Sequence, residues 1–184
     1  MDNGASSYLR FLNGDNDSFV DLVKEYGDGL ILFLNSIIRD IHIAEEAAND
    51  TLMKLYIKKP QYKNEYSFKT WLYTIGRNKA FDIQRKRSRI TEISLDGAYS
   101  VPTGENIEQN YLQQEKCSML RLAVSKLKPE YSQILCLIYF ENFDNTEAGK
   151  IMKKSSKQIR DLLYRAKNAL KRELEKEDAE YDGL

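Results

Sequence analysis

The residues with the most directed chemistry lie between Ser155 and Arg165. Ser155, Ser156, Lys157, Gln158, Arg160, Asp161, Tyr164 and Arg165 fall on the polar side of a segment whose apolar positions are Ile159, Leu162, Leu163, Ala166, Ala169, Leu170 and Leu174. Spacings of three and four predict a long amphipathic helix beginning near Ser156. Upstream, Thr146 to Lys153 fits a short helix turning Ala148, Ile151 and Met152 inward, and Lys154 and Ser155 fit a tight turn. A short bracing helix, a turn and a basic second helix form a helix-turn-helix, which lays the first turns of its second helix in a major groove. Arg and Gln there can hydrogen-bond base edges, and Lys can hold phosphates. The competing reading is a solvated basic face. The short helix, turn and serine together favour DNA.

A second set combines rings and cations. Tyr62, Lys63, Asn64 and Tyr66 form a polar loop ahead of a helix that carries Arg77, Asn78, Lys79, Arg85, Lys86 and Arg87. Aromatic rings stack on unpaired bases while basic side chains follow the backbone, so this set suits single-stranded DNA. Phe68 and Trp71 on the same helix read better as core residues. The loop tyrosines fit either role.

Other chemistries find little support. His42 is the only histidine, and its place between Ile41 and Ile43 reads as structural rather than catalytic. Cys117 and Cys136 form no CxxC pair, so no metal site is expected. Cys136, within Ile134–Ile138, reads as a core thiol in a reducing compartment. No Gly-rich phosphate loop or nucleophile elbow is present. The expectation is a protein that catalyses nothing by itself and needs no cofactor.

Charge is unevenly distributed. The 184 residues sum to a formal charge of zero. Yet from Met1 to Tyr56 only Arg10, Lys24, Arg39 and Lys54 oppose a larger set of acids. Between Arg77 and Arg89 the sole acid is Asp82, and between Lys150 and Arg172 it is Asp161. Two basic blocks behind an acidic front imply several partners of different charge. The N-terminus has no signal-peptide pattern and no segment is apolar enough to span a bilayer, so a cytoplasmic protein without membrane insertion is expected.

The elements that must position these sets are helices throughout: the fold class expected is all-α. One helix is expected at about Asp17–Arg39, with Gly27 and Gly29 as candidate bends, and another at Ile43–Lys58, ended by Pro60. A third is expected to start after a capping Ser67. Thr91 to Ile107 has no helical period and holds Gly97, Pro102 and Gly104, which predicts a flexible linker. The expected organisation is therefore two small helical domains, at 1–90 and 108–176, with a linker at 91–107 and an acidic tail at 177–184. Pro129 should open a helix in the second domain.

Taken in order, these segments resemble the extracytoplasmic-function group of bacterial RNA polymerase sigma factors. Ala44 to Tyr56 is similar to that family's core-polymerase-binding segment, Ser67 to Asn78 to its melting and minus-ten segment, and Leu127-Lys128-Pro129 with Asp144 to Leu170 to its minus-thirty-five domain. The resemblance implies that Glu46, Asn49, Asp50, Leu52 and Met53 contact core polymerase. It also implies that the loop at Tyr62 to Tyr66 holds a flipped minus-ten base, and that the linker enters the polymerase cleft. An anti-sigma protein is a further implied partner. The chain departs from the family at Asn49-Asp50, where Gln-Glu is frequent, at Asn142, where glycine is usual, and at Ser155-Ser156-Lys157-Gln158-Ile159, where Ser-Glu-Gly-Thr-Val is usual. The alternative is an ordinary helix-turn-helix regulator with an N-terminal sensing or dimerisation domain. It leaves the Phe68–Asn78 segment unexplained.

Overall fold

A computed structural model describes residues 3–93 and 123–181. The expected linker beyond Ile93, residues 108–122 and the end of the tail at 182–184 lie outside the described residues. Among the described residues every regular element is helical.

The N-terminal half holds α1 (Asn3–Leu12), α2 (Asp17–Ile38), α3 (Ile41–Lys58) and α4 (Phe68–Ile93). α1 was not expected from the sequence. Its apolar residues are few, but Tyr8 and Phe11 are fully buried, and the Tyr8 hydroxyl donates to the Pro60 carbonyl at 2.8 Å. α2 is the spine, buried along Phe19, Leu22, Tyr26, Leu30, Phe33, Leu34 and Ile37. It packs on α1, α3 and α4. Complete burial of each Leu or Phe contributes about 1.5–3 kcal/mol, so this row outweighs any local preference. Gly27 and Gly29 do not interrupt it. Asp40 starts α3, its carboxylate accepting from the Ile43 N–H at 3.3 Å. Ser67 caps α4 as expected, accepting from the Thr70 N–H at 3.2 Å. α4 runs through Ile93, past the boundary expected after residue 90.

The C-terminal half opens on a helical stretch at 123–126 and then forms α5 (Pro129–Leu135), a π-turn (Cys136–Phe140), α6 (Asn145–Met152) and α7 (Ser156–Tyr181). Pro129 stands at the start of α5, where its missing N–H leaves no bond unmade. α7 continues to Tyr181, so the expected tail is helical through that residue.

The two halves are two helical units, but they do not stand apart. α2 meets α5 and the π-turn, α4 meets α6, and a single buried core runs from Ala5 to Ala166. The Arg39 guanidinium donates to the Leu127 carbonyl across the join. A linker between two domains leaves their mutual packing open in the sequence. Here apolar and carboxylate groups at the base of the C-terminal half close that freedom.

Candidate nucleic-acid interface

The helix-turn-helix is built by two caps and one glycine. Asp144 accepts from the N–H groups of Thr146 (2.7 Å) and Glu147 (2.8 Å), while Glu147 returns a carboxylate oxygen to the Asp144 N–H at 3.1 Å. This capping box fixes where α6 begins. At the turn the Lys154 N–H donates to the Gly149 carbonyl at 2.9 Å. A Cβ on Gly149 would stand 2.7 Å from the Lys154 oxygen, so the turn closes this tightly only on glycine. α7 begins at Ser156 as expected, and Ser155 caps it. Its hydroxyl accepts from the Gln158 N–H at 3.2 Å, and Gln158 Oε1 accepts from the Ser155 N–H at 2.8 Å.

Ile159, Leu162 and Ala166 bury one face of α7. Lys157, Gln158, Arg160, Asp161, Tyr164 and Arg165 are exposed on the other, with Ser155 exposed and Ser156 half-buried at the turn. Among the described residues Tyr164 is the most exposed large ring, at 69%. The expected reading face is therefore assembled, with one correction. Gln158 was expected free to make a paired bond to a base, but its carbonyl oxygen is engaged in the cap. Its amide N–H groups and the second lone pair of that oxygen remain for DNA.

The minus-ten set divides. Lys63, Asn64 and Tyr66 are exposed, and Asn64 adopts φ 57, a conformation asparagine tolerates. Tyr62 is half-buried, its ring 5.3 Å from Trp71 and 5.8 Å from Phe68, and its hydroxyl donates to the Tyr66 carbonyl. It organises the loop. Phe68 is fully buried, as expected of a core residue. Along α4, Asn78, Arg85 and Lys86 are exposed, Arg85 beside Asp82. Arg77 is drawn inward over the Phe81 ring at 4.5 Å, its Nε has no hydrogen-bond partner, and burial lowers its pKa with Glu130 opposing. Lys79 pairs with Asp50 at 2.7 Å and Arg87 with Asp40 at 3.6 Å. Those two cations tie α4 to the acidic front of the chain.

The expected polymerase-contact set lies on α3. Glu46, Asn49, Asp50 and Met53 are exposed along one stripe. Leu52 is 6% exposed and packs into the core, so it holds the helix in place rather than facing a partner. Ile57, one turn beyond Met53, is 63% exposed and was missed. The i, i+4 spacing from Met53 was the available signal. His42 is exposed and stands 3.9 Å from the Glu45 carboxylate one turn along α3. Cys136 is buried as expected, and burial pushes its thiol up to about 12. Among the described residues no group of acids, histidines and cysteines could hold a metal ion, and no helix is long and apolar enough to cross a membrane.

A capped helix-turn-helix in one helical unit, beside a second unit that exposes rings and cations, belongs to a DNA-binding protein. The model of sigma-70 region 2 matches residues 22–90, and that of sigma-70 region 4 matches residues 117–170. The ECF RNA polymerase sigma factor SigM of Bacillus subtilis (strain 168) is 30% identical over 152 residues, covering 82% of this chain and 91% of its own. RNA polymerase sigma factor YlaC of the same strain is 27% identical, covering 87% and 94%. The sigma factor RpoE, solved in complex with the anti-sigma factor NepR from Bartonella quintana, superposes with a TM-score of 0.69 at 27% identity, over 84% of this chain and 97% of its own. This chain belongs to the extracytoplasmic-function group of RNA polymerase sigma factors. It is a transcription initiation factor, and the ordinary-regulator alternative is not favoured, because region 2 accounts for the N-terminal half.

Proposed function

We propose a division of labour within this sigma factor. Glu46, Asn49, Asp50 and Met53, extended by Ile57, dock on the clamp of the polymerase's largest subunit. A half-apolar stripe rimmed by polar groups suits such a contact. Tyr66, Lys63 and Asn64 hold a flipped minus-ten base within the frame set by Tyr62, with unstacking costing a few kcal/mol. Asn78, Arg85 and Lys86 follow the backbone of the melted strands. Lys157, Arg160, Tyr164 and Arg165 read the duplex upstream. The linker enters the polymerase cleft, where Asp96 and Glu105 mimic nascent RNA.

The observation that carries this reading is the exposed α7 face on a doubly capped turn, in one chain with the ring-and-cation loop of α4. The chain works in the cytoplasm beside polymerase and leaves all catalysis to that enzyme. The relative solved with an anti-sigma factor supports a partner of the same kind here. Co-purification with core polymerase, followed by promoter-dependent run-off transcription, tests the assignment. Absence of transcription with every cognate core sinks it.

A further inference from the structure

Asp161 is the one acid between Lys150 and Arg172, and it stands in the middle of the exposed face of α7. The helical period sets it opposite the buried Ile159 and Ala166, with Lys157 and Tyr164 to one side and Arg165 to the other. Among the described residues its side chain makes no hydrogen bond and no ion pair. Lys157 lies one turn before it and Arg165 one turn after, the spacing at which a carboxylate and a cation can meet on a helix. α7 does form close pairs farther along, where Lys176 holds Glu173 at 2.8 Å and Lys171 reaches Glu175 at 3.7 Å. Nor does Asp161 serve the helix in another way. The cap belongs to Ser155, and Asp161 lies past the first turn, where the helix dipole favours an acid. Aspartate is also among the weaker helix formers.

On a face that meets DNA, an unpaired carboxylate opposes binding to every duplex, because the phosphates carry the same charge. It becomes favourable only where a base edge offers it a donor. In the major groove guanine shows two acceptors, and thymine shows an acceptor and a methyl group. Adenine sets its N6 amine beside the N7 acceptor. Cytosine presents its N4 amine with no acceptor on its own edge. We infer that Asp161 is a specificity-determining residue whose free carboxylate accepts from the N4 amine of a cytosine in the upstream element. The inference rests on the reading of α7 given above and adds the base that one side chain selects.

Arg160, the preceding residue, has the complementary preference, a guanidinium suited to guanine O6 and N7. Neighbouring residues on a helix point about 100° apart, so the two side chains meet different base edges. The carboxylate also works by exclusion. A lysine at this position would add a phosphate contact and strengthen binding to all duplexes alike. Asp161 withholds that contact, and it sets an acceptor against an acceptor wherever guanine or thymine stands at its site. Selectivity arises from such repulsion as well as from attraction. Lys157, Arg160 and Arg165 supply attraction to any duplex, and one side chain of opposite sign among them makes the attraction depend on sequence.

The test uses holoenzyme assembled from a cognate core polymerase and the full chain as wild type, Asp161→Asn or Asp161→Ala. Asp161 is exposed, so both variants should keep wild-type helical content by circular dichroism. Wild-type holoenzyme is first selected on duplex randomised through both promoter elements. Each cytosine of the selected upstream element, on either strand, is then replaced in turn by deoxyribosyl 2-pyrimidinone, which lacks only the 4-amino group, and affinity is read by competition. At one cytosine the wild type should lose roughly tenfold, within the span of a single base contact. Asp161→Ala should lose nothing further at that cytosine and should match the wild type at every other. Both variants should bind scrambled duplex roughly threefold tighter at low salt, one repulsive charge having been removed. Asp161→Asn, whose amide adds a donor to the acceptor, should accept adenine at the same position. Losses shared by all three proteins at every cytosine overturn the role of Asp161, and so does a uniform tightening that leaves the preferred sequence unchanged. A wild-type holoenzyme with no upstream preference sinks the reading of α7 itself, and the inference with it.

Discussion

The first turns of α7 and the first turns of α4 both carry polar side chains, yet the chain presents them differently. On α7 Lys157, Arg160, Tyr164 and Arg165 face solvent. On α4 Lys69, Thr70 and Tyr73 face Glu141 and Glu147. An exposed reader samples duplex at once, with one module's modest affinity. The contrast separates an exposed polar face from one whose side chains are already engaged within the fold.

The largest test removes the exposed reader by its turn. Gly149→Val pushes side-chain carbons into the Lys154 carbonyl, and overpacking of this kind costs about 1–3 kcal/mol. Urea unfolding should show that loss, and upstream-duplex binding should vanish while core polymerase still co-purifies. Undiminished duplex binding would mean that α7 is positioned without the turn. A comparable but local loss is expected of Arg160→Ala: about 1–3 kcal/mol on the cognate upstream element, with little change on scrambled duplex. Lys157→Ala should instead weaken all sequences alike and flatten the salt dependence by about one unit of slope. An equal loss on all sequences for Arg160→Ala reduces it to a phosphate contact.

A smaller effect is expected on the other reader. Lys86→Glu with Arg87→Glu should lower open-complex formation several-fold at physiological salt, the order expected when phosphate contacts are lost. Because Arg87 already pairs with Asp40, Lys86→Glu alone should account for most of it. Permanganate footprinting reads the open complex directly. Equal single-variant effects would show that the Asp40 pair dissolves on DNA.

The contrast between the readers also marks how far the sequence could be read. Local rules placed α2, α3, the Ser67 cap, the Pro129 start and the helix-turn-helix within a residue or two, because period and caps act over one or two turns. Asn142 illustrates this: its φ of 54 explains why glycine is usual there and why asparagine serves. Side-chain engagement was not legible. Leu52, Gln158, Lys79 and Arg87 have the types expected of contact residues, but packing, a cap and two acidic partners occupy them. The join between the halves was hidden for a further reason. Glu141 and Glu147 look like surface acids in sequence, and what makes them contacts is a π-turn, a capping box and the empty space at Gly29, which sits more than a hundred residues earlier.

The smallest effect asks whether the two halves unfold as one body. Each holds a buried weak acid kept neutral by desolvation. Tyr8 in the N-terminal half is raised from 10.0 to about 12, and Cys136 in the C-terminal half from 9.0 to about 12. Tyr73 at the join is raised further by burial and by Glu141. In each case the unfolded chain releases its proton at lower pH than the folded one. The stability these groups contribute is therefore complete below about pH 9 and is lost as pH climbs toward 12. If the halves share one cooperative core, thermal unfolding at pH 10–11 should show one transition, and Cys136→Ala and Tyr8→Phe should each flatten its pH slope. Tyr8→Phe should also cost about 0.5–1.5 kcal/mol at neutral pH, through the lost bond to Pro60. Gly29→Ala should split the transition in two, with the Cys136 dependence following one step and the Tyr8 dependence the other. Two transitions already present in the wild type would mean that the halves unfold independently.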